Sequence, residues 1–392
     1  MKAMLLRAPR PVEERPLELV ELPTPAPGPG QVLIAVHACG ICHTDLHTVE
    51  GELPPHRSPV VPGHQIVGEV AAVGEGVDRH VVGRRVGVPW LWCADGVCGY
   101  CRRGDENLCE RALFTGYDVD GGYAEYVVAP AAFSYALPEA MDDLAVAPLL
   151  CAGIIGYRCL RLVGVTGERA LPGEDRASAE ADGGAWDEAG LACCGMPGDA
   201  VTPPSVTVAE EGGVGGGEAR GRPSRRLGLY GFGAAAHIAT QIAAYLGWEV
   251  FVFTRGEEHR RLALELGAVW AGAAGEAPGD DAALRLDAAI IFAPAGELAI
   301  DALKAVDRGG IVALGGIYSS PIPAIDYPLI YQERVIRSVT NSTRRDACEL
   351  LDVAAEIPVR TEVEVFPLEE ANEALLALKE SRIRAAAVLQ VG

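Results

Sequence analysis

Two hydrophobic rhythms divide the chain. Up to about residue 150 the apolar positions fall in short alternating runs, as in Gln31-Val32-Leu33-Ile34-Ala35-Val36. Glycines interrupt the apolar stretch Val67-Gly68-Glu69-Val70-Ala71-Ala72-Val73-Gly74. A period of two fits half-buried strands and such glycines fit turns or bulges, so this part is expected to be β-rich with irregular connections. From residue 227 the rhythm changes to strand-then-helix units. Short apolar strands are expected over 227–230 and 249–253 and near 288–292 and 311–314, with helices over 234–246 and 257–266. This alternation implies an α/β fold, a doubly wound parallel sheet, joined to the β-rich first part.

Between the two lies a segment with neither rhythm. Residues 171–226 hold 12 glycines and 5 prolines, 17 of 56 residues, without a period. That composition reads as a low-complexity insert, and removing it leaves 392 − 56 = 336 residues. It enters just before the first strand of the α/β part, whereas ligands bind beyond the carboxyl ends of such strands. Deleting it is therefore expected to leave turnover largely intact. Cys193 and Cys194 inside it are read as incidental.

With 392 residues, 49% hydrophobic and 22% charged, the chain suits a globular protein of about two domains. A formal net charge of −21 argues against nucleic acid or an anionic membrane as partner. No apolar run reaches the roughly 18–20 residues of a membrane helix and no signal-peptide core is visible, so a cytoplasmic location is expected. The 11 cysteines cluster at short spacings, which favours thiolate metal ligands over a disulfide framework.

The chemistry concentrates in three places. Cys42 and His64, with Cys151 far downstream, make a set of two thiolates and one imidazole that leaves a fourth zinc position open for water or substrate. Thr44 and His47 flank Cys42, where a hydroxyl and an imidazole can carry a proton to solvent. The second cluster, Cys98-x2-Cys101-x7-Cys109, fits a structural zinc site whose fourth ligand is Asp95 or Cys93. Third, Gly231-Phe232-Gly233-Ala234-Ala235-Ala236 follows a predicted strand and opens a predicted helix. In that context Gly231 permits the tight turn, Gly233 lets the backbone approach a pyrophosphate, and Ala236 allows close packing. The next strand ends in Phe253-Thr254-Arg255-Gly256 without the acidic residue that holds the ribose of NAD. Thr254 and Arg255 suit a 2′-phosphate, so NADP is favoured over NAD; the rival reading leaves Arg255 a solvated charge.

Together, Cys42-His43-Thr44-Asp45-Leu46-His47, Gly63-His64-Gln65, the cysteine cluster and the glycine fingerprint resemble the zinc-dependent medium-chain alcohol dehydrogenases. The resemblance implies a GroES-like catalytic domain over 1–153, with a structural zinc lobe at about 90–111. It implies a Rossmann domain over 154–337 and a return to the catalytic domain over 338–392. It further implies two zinc ions per chain, one on Cys42, His64 and Cys151 and one in the lobe. Thr44 and His47 would form the proton relay, with Asp45 and Gln65 beside the metal ligands. His43 and Arg344 would approach the cofactor, and Trp90 would line the substrate pocket. Val49, where some relatives carry a large aromatic, would leave room for a bulky substrate. Three positions depart from the family pattern: Gln65 replaces a glutamate, Asp95 a cysteine and Ile155 a threonine.

The expected function is reversible oxidation of primary alcohols, aromatic or allylic ones included, to aldehydes with NAD(P). One rival is an NADPH-preferring aldehyde reductase of the cinnamyl type. The other is a catalytically silent zinc- and nucleotide-binding protein. A small alcohol or aldehyde is the expected partner, and the resemblance implies a homodimer or homotetramer.

Overall fold

The computed structural model describes residues 1–166, 225–276, 285–357 and 359–392. The insert read over 171–226, with Cys193 and Cys194, lies outside the described residues except for its last two positions. Of these, Arg226 already begins a strand.

Six strands form one parallel sheet: Arg226–Tyr230, Glu249–Phe253, Trp270–Gly272, Leu286–Ile291, Val306–Leu314 and Val335–Ser338. Numbered along the chain, they lie in the order 3-2-1-4-5-6. This is the order of a doubly wound dinucleotide-binding sheet. The continuous apolar runs follow from burial on both faces. Leu227, Leu229, Val250, Val252, Ala288 and Ile290 pack into one core with the helices Ala152–Leu162 and Ala234–Tyr245. The alternate positions Tyr230, Phe251, Phe253, Ala289 and Ile291 pack into another core with the helix Leu298–Ala305. The pleat thus sends neighbouring side chains to opposite helix layers.

The β-rich part is a second sheet in the order Val363–Pro367, Ala386–Gln390, Gln31–Ile41, Gln65–Val73, Arg85–Val88 and Tyr135–Ala136, with Tyr126–Pro130 also paired to Gln31–Ile41. Gly68 marks no turn here. It lies within Gln65–Val73, paired with Val36 and Val86, and a Cβ on it would fall 2.0 Å from the Ala35 carbonyl oxygen. Glycine is needed because the backbones approach closely, and the pairing shifts register beside it, between Val36 and Ala38, as a bulge would.

After Val335–Ser338 the chain leaves the parallel sheet. The helix Arg344–Glu356 sends Ala347, Leu350, Leu351 and Ala354 into the core shared by Leu227 and Ile154, and it packs on Ala152–Leu162. Pairing with the catalytic sheet resumes at Val363, and Ala386–Gln390 then runs antiparallel to Gln31–Ile41. An amphipathic helix buries its apolar stripe, and the core covered here is shared by both parts, since Ala38 and Val67 of the β-rich sheet belong to it as well. Among the described residues no single helix is long and apolar enough to cross a membrane.

Candidate metal and nucleotide sites

Strand register builds the first metal-ligating group. Gly40 pairs with Gln65, so the end of Gln31–Ile41 and the start of Gln65–Val73 bring Cys42 and His64 to one edge. Cys42 then serves as N-cap of the helix His43–Glu50 in a reciprocal box. Its Sγ accepts from Thr44 N at 3.3 Å, and its own N–H donates to Asp45 Oδ2 at 2.9 Å. Cys151, at the start of the helix Ala152–Leu162, completes the group from far along the chain.

Cys42 Sγ lies 3.3 Å from His64 Nε2 and 3.9 Å from Cys151 Sγ. A tetrahedral zinc with bonds of roughly 2.0–2.3 Å separates its ligands by about 3.3–3.8 Å, so the donors fit that ion. The Cys151 thiol, and after it the charge of His64, hold the Cys42 thiol well below its ordinary range against the cost of burial. The Cys42 contact, together with burial, pushes the Cys151 thiol up. Asp45 Oδ1 stands 2.9 Å from His64 Nδ1, and both side chains are buried. That carboxylate fixes which imidazole nitrogen faces the sulfurs. Gln65 is also buried, and its amide nitrogen has no hydrogen-bond partner among the described residues.

Aromatic rings wall the group. Trp90 meets the His64 ring edge-on at 4.8 Å, stacks on Phe114 at 5.2 Å and lies 5.7 Å from Tyr117. Phe114 and Tyr117 carried no sequence signal of their own, because their place beside Trp90 depends on the turn between them. Val49, expected to open the pocket, is instead fully buried in the core of the catalytic domain. Its position on the helix points it inward.

Thr44 is half-buried, and His47 lies one turn further along the same helix. The His47 ring is 6.3 Å from that of exposed His43 and 6.5 Å from Tyr318, which comes from the nucleotide-binding side. His47 Nδ1 is 2.5 Å from Glu52 Oε2. Sequence reading passed over Glu52, although its place directly after the helix-ending Gly51 is visible in the chain.

Asp95, Cys98, Cys101 and Cys109 form a second group, with all ligand atoms within 4.8 Å of one another. Of the two residues offered for the fourth position, Asp95 and not Cys93 stands in this group. Cys93 ends the strand Leu91–Cys93 and packs into the apolar cluster of the lobe with Leu91 and Phe133. Against the push of burial, the amides of Cys98 and Val97 hold the Asp95 carboxyl below its usual range. Arg111 pairs with the other carboxylate oxygen at 3.0 Å.

The glycine fingerprint sits where strand 1 passes into its helix. Gly231 has φ +89°, and a Cβ there would meet Ala293 N at 2.8 Å. Gly233 is the N-cap of Ala234–Tyr245, and a Cβ on it would meet only open space. Ala236 is fully buried. Beyond the carboxyl ends of strands 4 and 5, Ala293, Gly296, Gly316 and Tyr318 line a cavity, on the side where ligands of such sheets bind. Thr254 and Arg255 stand at the end of strand 2, with Thr254 N donating to Gly272 O at 2.7 Å and Arg255 exposed. Arg344 is engaged elsewhere. Its guanidinium donates from Nε and Nη2 to Glu106 of the zinc lobe and lies over the Phe133 ring.

The model of the alcohol dehydrogenase GroES-like domain matches residues 28–139. The chain is 43% identical, over all of its length and 97% of the relative, to a probable alcohol dehydrogenase AdhA of Mycobacterium tuberculosis. It is 33% identical to an alcohol dehydrogenase of Geobacillus stearothermophilus, with 96% of each chain covered. A solved cinnamyl alcohol dehydrogenase from Sorghum bicolor superposes with a TM-score of 0.77 at 25% identity, covering 99% of this chain and 97% of that one. Register-matched thiolates and imidazole, a doubly wound sheet with its glycine turn, and full-length relatives agree: this chain belongs to the zinc-dependent medium-chain alcohol dehydrogenase family.

Proposed function

We propose that the protein catalyses reversible oxidation of primary alcohols to aldehydes with a nicotinamide dinucleotide. The observation that carries this reading is the convergence of Cys42, His64 and Cys151 beside Thr44 and His47, on the side where the nucleotide crevice opens. Cys42, His64 and Cys151 would hold a zinc ion. When bound, zinc supplies Lewis acidity to a substrate oxygen, and the nicotinamide takes or returns the hydride.

The chain's own residues do the rest. The Thr44 hydroxyl receives the alcohol proton, and His47 passes it to solvent at the half-exposed end of the helix. Asp45 keeps His64 oriented by its contact to Nδ1. Trp90, Phe114 and Tyr117 present an aromatic wall that suits the apolar body of a substrate and excludes water. This wall also supports the reading as a cinnamyl-type reductase acting on aryl or allylic aldehydes. The buried amide nitrogen of Gln65, without a hydrogen-bond partner among the described residues, supports the second reading, a catalytically silent protein.

Thr254 and Arg255, with no acid at the end of strand 2, favour NADP; equal kcat/KM with NAD and NADP would refute that preference. Asp95, Cys98, Cys101 and Cys109 would hold a second zinc. The edge strand Val335–Ser338 is open, with exposed Tyr327, Tyr331 and Val335 along or near it, which supports assembly of copies into a dimer or tetramer. Metal analysis joined to a nicotinamide-absorbance assay with ethanol, benzyl alcohol and cinnamaldehyde tests the whole reading. Two zincs and bound nucleotide without turnover of any of these would sink it in favour of the silent protein.

A further inference from the structure

A path of buried contacts joins the two metal-ligating groups. In the lobe, Cys101 and Cys109 bracket the short turn Glu106–Leu108, and the Cys109 N–H donates to the Glu106 carbonyl at 3.1 Å. Glu106 and Asn107 are both buried. Glu106 accepts from Arg344 Nη2 and from the Arg344 backbone N–H, each at 2.7 Å, and Asn107 Nδ2 donates to the Thr340 carbonyl at 2.8 Å. Beside Arg344, Thr343 caps the helix Arg344–Glu356 in a reciprocal box with Asp346. Asp346 in turn binds Arg158 and Arg161, two buried residues of the helix Ala152–Leu162. That helix starts directly after Cys151. Gly153, in its first turn, lies against Leu350 of Arg344–Glu356, where an added Cβ would come 3.0 Å from Leu350 Cδ2.

Buried ionic partners are costly to separate and packed side chains yield little, so such a path passes a displacement on instead of absorbing it. An ion in the lobe would fix the spacing of Cys101 and Cys109, and with it the place of Glu106. At the other group, zinc tolerates only about 0.2 Å of error in each ligand distance, which makes it sensitive to the set of Cys151. We infer that Glu106 and Asp346 are positioning residues for Cys151: through them, zinc in the lobe raises the affinity of the Cys42, His64 and Cys151 group for its own zinc. By linkage the effect is reciprocal. This rests on the reading that both groups hold zinc.

The test reads the zinc affinity of the Cys42 group by competition with a chromophoric chelator, which needs no turnover. The intact wild-type chain is compared with Asp95→Ala, Asp95→Cys, Glu106→Gln and Leu303→Ala. Emptying the lobe by Asp95→Ala should lower the affinity about tenfold, within the usual range of coupling between sites. Asp95→Cys keeps a fourth ligand in the lobe and should hold the wild-type value. Glu106→Gln leaves every ligand of both groups in place and should still lower the affinity several-fold. In that background Asp95→Ala should cost less than it does alone. Leu303 is buried in the core on the other face of the parallel sheet, so Leu303→Ala should lower Tm and leave the affinity unchanged. An unchanged affinity in Asp95→Ala, or losses that simply add in the double variant, would overturn the inference. So would an equal loss in Leu303→Ala, which would mark a general effect of stability. A wild-type chain that leaves either group without zinc would overturn the metal reading and this inference with it, a failure recognised without any variant.

Discussion

Glu106 holds Arg344 across 238 residues of chain, with Oε2 2.9 Å from Nε and 2.7 Å from Nη2. The pair ties the zinc lobe to the helix Arg344–Glu356, and the Arg344 backbone N–H adds a further contact to Glu106 Oε1 at 2.7 Å. Glu106→Gln should cost about 2 kcal/mol in urea unfolding. This is less than for a fully buried broken pair, because Arg344 keeps part of its water contact. Arg344→Gln should lower stability similarly yet leave the nucleotide Kd, read by fluorescence quenching, within about threefold of wild type.

Gly231 and Gly233 should separate under substitution. Gly231→Ala meets both a positive φ and the Ala293 backbone, so it should lower Tm and abolish nucleotide binding together. Gly233→Val puts its side chain into open space from an extended backbone. It should keep the wild-type Tm while weakening nucleotide binding by tenfold or more, roughly the cost of blocking a backbone-to-pyrophosphate approach.

Asp45→Asn keeps the shape of the side chain but removes the charge that orients His64. Zinc affinity at the Cys42 group should fall by about 10–100-fold, measured by competition with a chromophoric chelator, while the lobe zinc stays bound. Unchanged affinity would mean that the capping box alone positions the imidazole.

The lobe offers a direct choice between two residues. Cys93→Ser should retain zinc in the lobe, whereas Asp95→Ala should lose it, as read by metal analysis after dialysis against a weak chelator. The opposite pattern would return the fourth position to Cys93.

Asp346 is fully buried between Arg158 and Arg161, each 2.8 Å away. Burial alone would push its carboxyl up, but the two guanidinium ions and the Thr343 donors hold it below its usual value. A depressed carboxyl contributes stability above the unfolded value near 3.9, and that stability is lost as pH falls through the lower folded value. Asp346→Asn should therefore cost about 3 kcal/mol at pH 7, and the gap to wild type should narrow only below about pH 4. A gap unchanged between pH 7 and pH 3 in urea titrations would contradict this.

Where burial on both faces imposes an unbroken apolar run, the elements were legible locally: the strand over 249–253 is found at those residues, and the helix from 234 ends one residue early, at Tyr245. The strands Trp270–Gly272 and Val335–Ser338 escaped because one has only three residues and the other is an edge whose outer positions tolerate polar side chains. The glycine within Gln65–Val73 sits beside a register shift in the pairing with Gln31–Ile41, and a chain pattern alone cannot tell such a bulge from a turn.

Residue chemistry and spacing alone identified two thiolates and an imidazole able to hold zinc, a glycine turn for a pyrophosphate, and the alternation that makes a doubly wound sheet. These are local properties, written in a few consecutive residues each. Only tertiary structure decided that Asp95 stands with Cys98, Cys101 and Cys109, that Val49 faces the core, that Arg344 turns to Glu106, and that Glu52 folds back onto His47. Each of these depends on strand register, helix rotation or a contact between distant segments, which is settled when the cores pack and not before.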